Sequence, residues 1–259
     1  MVVGAGQSPG ETMGNGRATS LLFAREGAMV VAVDRDLVSA EETVAMIHGE
    51  GGQAMAVEAD VKDEESLKVA VDKCLRQHSR IDILHNNVGI SLAGGDAEIT
   101  DITVEAFDHC VAVNLRGMVL ACKHVLPSMR EKGKGVITNI SSLAAWSAYP
   151  LVAYKTTKSA VIALTEQLAI QNAKFGIRAN VILPGLMDTP MAVDTRVRVL
   201  NKSREEIAAD RGAKVPLGRK MGTGWDVANA ALFLASDDAG FITGVALPVD
   251  GGTSVSLGI

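Results

Sequence analysis

The chain opens with Val2-Val3-Gly4-Ala5-Gly6-Gln7-Ser8-Pro9-Gly10-Glu11-Thr12-Met13-Gly14-Asn15-Gly16-Arg17, and Met29-Val30-Val31-Ala32-Val33-Asp34 follows one helix-length later. A β-branched pair, a glycine-rich turn, a 3.6-period segment and a second β-branched run read as strand, turn, helix and strand. Such a turn lets backbone N–H groups approach a pyrophosphate, which the positive end of the following helix stabilises. The glycines alone are weak evidence, because the chain holds 26 of them and tight turns need glycine anyway. Asp34 strengthens the reading. It ends the second strand 18 positions beyond Gly16, where a carboxylate accepts hydrogen bonds from both hydroxyls of an adenosine ribose. The same charge repels a ribose phosphate, so the sequence favours NAD over NADP, a preference that the adjacent Arg35 softens.

Outward from this unit the same alternation continues. Apolar, β-branched runs occur at 29–33, 54–57, 81–84, 136–140, 177–182 and 245–247, separated by 3.6-period segments at 15–26, 37–50, 64–79, 104–131, 151–174 and 225–236. Strands separated by helices predict a parallel sheet, and right-handed crossovers place helices on both faces. The expected architecture is one doubly wound α/β domain spanning 1–259. The stretch from about 188 to 220 breaks the rhythm with Pro190, Pro216, several basic residues and only a weak helical pattern near 203–211. A long irregular segment in a compact domain suits a lid or binding loop, and 188–216 is the expected substrate lid.

Composition narrows the class. With 25 Lys and Arg against 30 Asp and Glu, the net charge is −5. No basic block marks a nucleic-acid or anionic-membrane surface. Cys74, Cys110 and Cys122 form no CxxC pair and the five histidines have no ligand spacing near them, so no disulfide framework or metal site is expected. Met1-Val2-Val3 runs straight into Gly4 with no basic-then-apolar leader, and the expectation is a soluble, cytoplasmic chain.

A second cluster carries chemistry. Tyr154 and Lys158 are four apart in a helical stretch and so share a face. A phenol with a reference pKa of about 10 needs roughly three units of depression, about 4 kcal/mol, to exchange protons near neutrality. A cation about 4 Å away at an effective dielectric of about 20 supplies that order of energy. Lys158 is therefore expected to activate Tyr154. Upstream, the strand at 136–140 runs into Ser141-Ser142, and ligands of parallel sheets lie just outside the carboxyl ends of strands. A serine hydroxyl there can hydrogen-bond a substrate carbonyl, or can simply cap a turn.

Together these residues strongly resemble the short-chain dehydrogenase/reductase superfamily, in its single-domain subgroup, over nearly the whole chain. The matching segments are Asn86-Asn87-Val88-Gly89, Asn114 in Val-Asn-Leu-Arg-Gly, Asn139-Ile140-Ser141-Ser142, Tyr154-Lys155-Thr156-Thr157-Lys158, Pro184-Gly185-Leu186-Met187-Asp188-Thr189-Pro190, and the late Phe-Ile-Thr-Gly-Val-Ala-Leu-Pro-Val-Asp-Gly-Gly ending at Gly252. The resemblance implies a Rossmann-type fold and a catalytic tetrad of Asn114, Ser142, Tyr154 and Lys158, with Ser141 as the alternative serine. It also implies a cofactor site. Gly4, Gly14, Asn15 and Gly16 would hold the pyrophosphate, and Asp34 and Arg35 would select the cofactor. Asp60 and Val61 would border the adenine, and Asn87, Val88 and Gly89 would line the ribose. Pro184, Gly185 and Thr189 would lie at the nicotinamide with Tyr154 and Lys158, while Asn114 would hold a water linking Lys158 to solvent. Helices 104–131 and 151–174 would build a homotetramer, with Cys110, Cys122, Val119 and Leu164 in its interface or in the core.

Two features depart from the family pattern. Nine residues separate Gly4 from Gly14 where three are usual, so the turn carries about six extra residues that either lie over the pyrophosphate or bulge into solvent. Few residues precede Val2-Val3, which predicts a shortened first strand. The implied activity is NAD-dependent interconversion of a secondary alcohol and a ketone, with Tyr154 as general base or acid. The pocket would draw on 91–96, 144–149 and the lid, where Leu92, Trp146, Tyr149, Leu186 and Met191 are candidates. Two alternatives remain: an NADPH-dependent 3-oxoacyl-thioester reductase, which usually has a basic selector, and a cofactor-independent lyase or dehalogenase, which Lys158, Gly14, Gly16 and Asp34 disfavour.

Overall fold

The computed structural model describes residues 1–256. The β-branched runs form strands β1 (Val2–Val3), β2 (Val30–Asp34), β3 (Ala54–Glu58), β4 (Ile83–Asn86), β5 (Gly135–Ile140) and β6 (Ile177–Pro184), then β7 (Met187–Asp188), β8 (Gly222–Thr223) and β9 (Ala246–Val249). Between them lie helices α1 (Asn15–Arg25), α2 (Leu37–Gly49), α3 (Glu64–His78), α4 (Val104–Val111), α5 (Gly117–Lys132), α6 (Val152–Asn172), α7 (Asp194–Leu200), α8 (Arg204–Gly212) and α9 (Gly224–Ala235). Seven strands make one sheet in the order β3-β2-β1-β4-β5-β6-β9, every neighbouring pair parallel. This is the doubly wound arrangement that the sequence predicts. The order reverses between β1 and β4, and ligands of such sheets bind in the crevice beside that switch point.

The sheet divides the apolar interior in two. On one face Leu67, Leu84, Val125, Met129 and Ile137 pack beneath α3 and α5. On the other, Leu21, Ile47, Ile182 and Leu234 pack beneath α1, α2 and α9. Cys74, Cys110 and Cys122 are all buried, which assigns the two cysteines left open above to the interior, while Val119 is exposed.

Four features differ from the sequence reading. β1 is only two residues long, as anticipated, yet it sits at the centre of the sheet between β2 and β4. β4 begins two residues later than the apolar run suggests and carries buried His85 and Asn86, polar residues that a hydrophobicity pattern passes over. The helix from 104 to 132 is interrupted by a π-helical turn, Ala112–Arg116, that contains Asn114. By length and composition this helix could cross a membrane, but 56% of its apolar window is buried inside the fold. The segment after β6 is not one irregular loop: it holds α7, which the sequence reading missed, and α8, close to the weak pattern at 203–211.

Candidate functional site

A cleft of about 360 Å³ runs along the carboxyl ends of the strands. Its floor is built from Gly4, Gly14, Asn15 and Gly16, its far end from Asp34, Arg35, Asp60 and Val61, and its middle from Asn87, Val88 and Gly89. Its near end holds Ser141, Ser142, Tyr154, Lys158, Pro184, Gly185, Met187 and Thr189. Every residue named above for the cofactor thus borders one cavity.

The glycines have a steric reason. A Cβ on Gly16 would sit 1.9 Å from the carbonyl oxygen of Gly4, and Gly4 itself has φ 84°. Strand and helix can therefore meet closely only if both lack side chains. Asn87 holds this crossing by donating from Nδ2 to the Gly4 carbonyl at 3.0 Å. Helix α1 has no side-chain cap, which leaves its positive end directed at the cleft. Asp34 accepts from the Gly6 N–H at 3.0 Å and the Asp36 N–H at 3.2 Å, so its carboxylate is held at the cleft's end. Arg17 turns away from the phosphate floor to Thr43, Ser39 and Glu42.

The enlarged turn does two things at once. Gln7 bridges it, accepting from the Gly14 N–H at 3.0 Å and donating to the Thr12 carbonyl at 3.4 Å. Residues 7–9 line the cleft, whereas 10–12 dock against the α7–α8 segment. A Cβ on Gly10 would lie 2.4 Å from Asp194 Oδ2, so a side chain there would have to displace Asp194. Arg204 closes the junction: its guanidinium meets Asp188 at 2.5 Å, Asp194 at 3.5 Å and Glu11 at 3.6 Å, and also donates to Thr12 Oγ1 at 3.4 Å. The extra residues thus do not bulge freely into solvent. Gln7 and Arg204 escape a sequence reading because their partners are set by loop conformation and by a contact 192 positions away.

At the other end, β5 delivers the two serines. Ser141 is buried and donates its hydroxyl to the Lys158 carbonyl at 2.6 Å, whereas the Ser142 hydroxyl lines the cleft, accepts from the Ala144 N–H at 3.1 Å and draws the Tyr154 phenol pKa down. The geometry therefore separates the two serines that the sequence leaves open. Tyr154 and Lys158 share one face of α6, with the Lys158 ammonium 5.7 Å from the phenol ring centre and donating to the Ile140 carbonyl at 2.8 Å. Asp96 caps α6 from outside the helix: its two carboxylate oxygens accept from the Ala153 N–H at 2.9 Å and the Tyr154 N–H at 2.7 Å. Nothing in the local sequence signals this, since Asp96 lies 58 positions upstream.

Burial works against the expected activation of Tyr154 by Lys158. Burial pushes the phenol up to about 12, against which Ser142, Arg196 and Arg211 pull down, and burial brings Lys158 down to about 7. A dry site disfavours the charged form of both groups. Asn114 is fully buried in the π-helical turn. It donates to the Ile90 carbonyl at 2.9 Å and Thr157 Oγ1 at 3.1 Å, and accepts from the Ile90 N–H at 2.7 Å. Both amide hydrogens are thereby engaged, and the side chain braces β4's exit loop against α6. Of the pocket candidates, Met191 lines the cleft and Tyr149 stacks on Tyr154 with ring centres 5.5 Å apart. Trp146 is about half exposed and lies outside the cleft wall.

The chain matches a family model described as enoyl-(acyl carrier protein) reductase over residues 10–254. It is 39% identical to 2-(R)-hydroxypropyl-CoM dehydrogenase of Xanthobacter autotrophicus, across 93% of this chain and 95% of that protein. It is 34% identical to a 3-oxoacyl-[acyl-carrier-protein] reductase of Thermotoga maritima, across 94% of each. A crystal structure from Burkholderia xenovorans, described as a short-chain dehydrogenase/reductase, superposes with a TM-score of 0.92 at 38% identity, covering 98% of this chain and 95% of that one.

Proposed function

The chain is a short-chain dehydrogenase/reductase, an oxidoreductase acting on CH–OH groups, and we propose that it interconverts a secondary alcohol and a ketone with NAD. The observation that carries this reading is the convergence of Ser142, Tyr154 and Lys158 at one end of a cleft whose other end is Asp34. The cleft suits a dinucleotide: glycines at van der Waals limit, an uncapped helix N-terminus in the middle, and a carboxylate for a ribose at the end. When bound, the nicotinamide supplies hydride acceptance and donation. The protein does the rest. Ser142 orients the substrate oxygen, and Tyr154 takes the proton from the alcohol or returns it to the ketone oxygen. Lys158 holds the nicotinamide ribose and, when charged, favours the phenolate. Asp96 holds the turn that carries Tyr154, and Asn114 holds Thr157, the residue next to Lys158.

Burial holds the Tyr154 phenol protonated, with its pKa pushed up to about 12, so proton exchange near neutrality depends on the groups that pull it down. Oxidation then requires proton loss and accelerates with rising pH. Segment 188–216 serves as the substrate lid. Helices 104–131 and 151–174 supply the surface for a homotetramer, supported by exposed Val104, Phe107, Val119 and Ile170. The deciding experiment is a titration with NADH and with NADPH, followed by reduced-nicotinamide fluorescence and coupled to turnover of secondary alcohols. Preference for NADH with alcohol oxidation supports the reading. Preference for NADPH with turnover of 3-oxoacyl thioesters would replace it with the reductase alternative.

A further inference from the structure

Lys155 lies between Tyr154 and Lys158 on α6, and the reaction above gives it no role. Its ammonium donates to three main-chain carbonyls: Ser147 at 2.6 Å, Ala144 at 3.1 Å and Ala145 at 3.4 Å. These belong to the single 3₁₀ turn Leu143–Ala145 and the residues just after it. So short a turn leaves carbonyls without partners of its own, and a lysine is a fitting donor for them. Ser159, one helical turn along α6, also donates to the Ala145 carbonyl at 3.1 Å. Helix α6 thus grips the loop that follows β5. The grip reaches the chemistry in two short steps. Ala144, whose carbonyl Lys155 holds, donates its own N–H to the Ser142 hydroxyl oxygen at 3.1 Å. Ser142 is the acceptor there, so its hydroxyl hydrogen stays free to be donated into the cleft that it lines. Further along the same loop, Tyr149 stacks on Tyr154 with ring centres 5.5 Å apart.

We propose that Lys155 is a positioning residue for the reaction: by gathering the carbonyls of 144, 145 and 147 on one ammonium, it fixes the Ser142 hydroxyl relative to the Tyr154 phenol. The inference rests on the alcohol–ketone reading and adds a residue to it. Lys155 does not border the cleft and acts only through the loop. Because Lys155 adjoins Tyr154 on the helix, the general acid or base and the oxygen-orienting serine are tied to the same turn of α6, and they keep their spacing when that turn moves.

The test uses Lys155→Met in the full chain, which keeps the apolar stem and removes the charge. The substrate is whichever of a panel of methyl carbinols and cyclohexanol the parent oxidises fastest with NAD. The kcat is expected to fall roughly 10- to 100-fold, the range for reacting groups displaced by up to about an ångström, while NADH binding by fluorescence stays near parental. In a Ser142→Ala background the same substitution is expected to cost less than about 3-fold, because residues that act through one another are not additive. Lys155→Ala is expected to regain part of its kcat in ethylammonium chloride but not in sodium chloride of equal ionic strength, since a small ammonium can donate to the same carbonyls. Parental kcat in Lys155→Met would overturn the proposal, and so would a loss that multiplies in full with that of Ser142→Ala. If Lys155→Met fails to fold, Lys155→Ala decides, and a folded Lys155→Ala that ethylammonium leaves unchanged would overturn the proposal. No turnover of any alcohol by the parent despite NADH binding would overturn the alcohol–ketone reading and this role with it.

Discussion

The two ends of the cleft are held by opposite means. At the Tyr154 end, groups are buried and internally bonded: Asp96 caps α6, Asn114 braces Ile90 and Thr157, and Ser141 ties β5 to Lys158. At the phosphate end, the enlarged turn is exposed from Ser8 to Glu11 and is held by Gln7 and by ion pairs at Arg204. Chemistry that depends on tenths of an ångström sits on regular elements in a dry interior. The turn at the phosphate end is fastened instead by one glutamine and by ion pairs gathered on a single arginine.

Substitutions sharpen that contrast. Tyr154→Phe is expected to lower kcat by roughly 10²- to 10⁴-fold, the usual range for a general acid or base, while NADH binding by fluorescence stays near that of the parent. Near-normal turnover would remove Tyr154 from the chemistry. Lys158→Met is expected to abolish most activity yet to stabilise the fold. A lysine whose folded pKa is about 7 against an ordinary 10.5 binds fewer protons folded than unfolded between those values. Its presence therefore weakens the native state most below pH 7, and the native state recovers as pH rises toward 10.5. Denaturant melts should show the variant ahead by a few kcal/mol at pH 6, with the gap closing by pH 10; a gap that widens with pH would contradict the sign.

Smaller effects are expected at the other end. Asp34→Ala should erode the preference for NADH over NADPH by about 10- to 100-fold, the worth of charge-assisted hydrogen bonds to a ribose, as read by paired titrations. Arg204→Ala should cost about 1–3 kcal/mol of stability, since its side chain is mostly buried and its loss leaves Asp188 and Asp194 without their cation. It should raise the KM for cofactor a few-fold, leave kcat near parental and quicken proteolysis between residues 7 and 12. An Arg204→Ala whose kcat fell as far as that of Tyr154→Phe would erase the division between the two ends.

The same division explains what the sequence discloses. Tyr154 and Lys158 meet because a helix repeats every 3.6 residues, and Ser142 arrives because a parallel strand ends there; both facts are local. Gly16 is legible because a crossing of strand and helix excludes a side chain. Asp96, Gln7 and Arg204 are not, because their partners come from distant segments or from a loop's particular path. α7 escapes because its seven residues follow two prolines and offer too short an apolar pattern to register. His85 and Asn86 extend the end of β4 beyond the apolar run because their burial is decided by neighbours: Asn86 bonds Asn139 across the sheet at 2.9 Å, and Phe23 meets His85 edge-on.

Asp96 also bears on the order in which the molecule assembles. It follows β4, in the first half of the chain, yet it supplies the acceptors for the first turn of a helix in the second half. That turn has no cap of its own, so it gains these acceptors only once the halves have docked, and bringing together residues 58 apart carries a loop-closure cost. The competent placement of Tyr154 is thus expected late in folding. The amide hydrogens of Ala153 and Tyr154 should become protected from exchange after those in the middle of α6, and recovery of activity during refolding should keep time with them rather than with the return of helical signal.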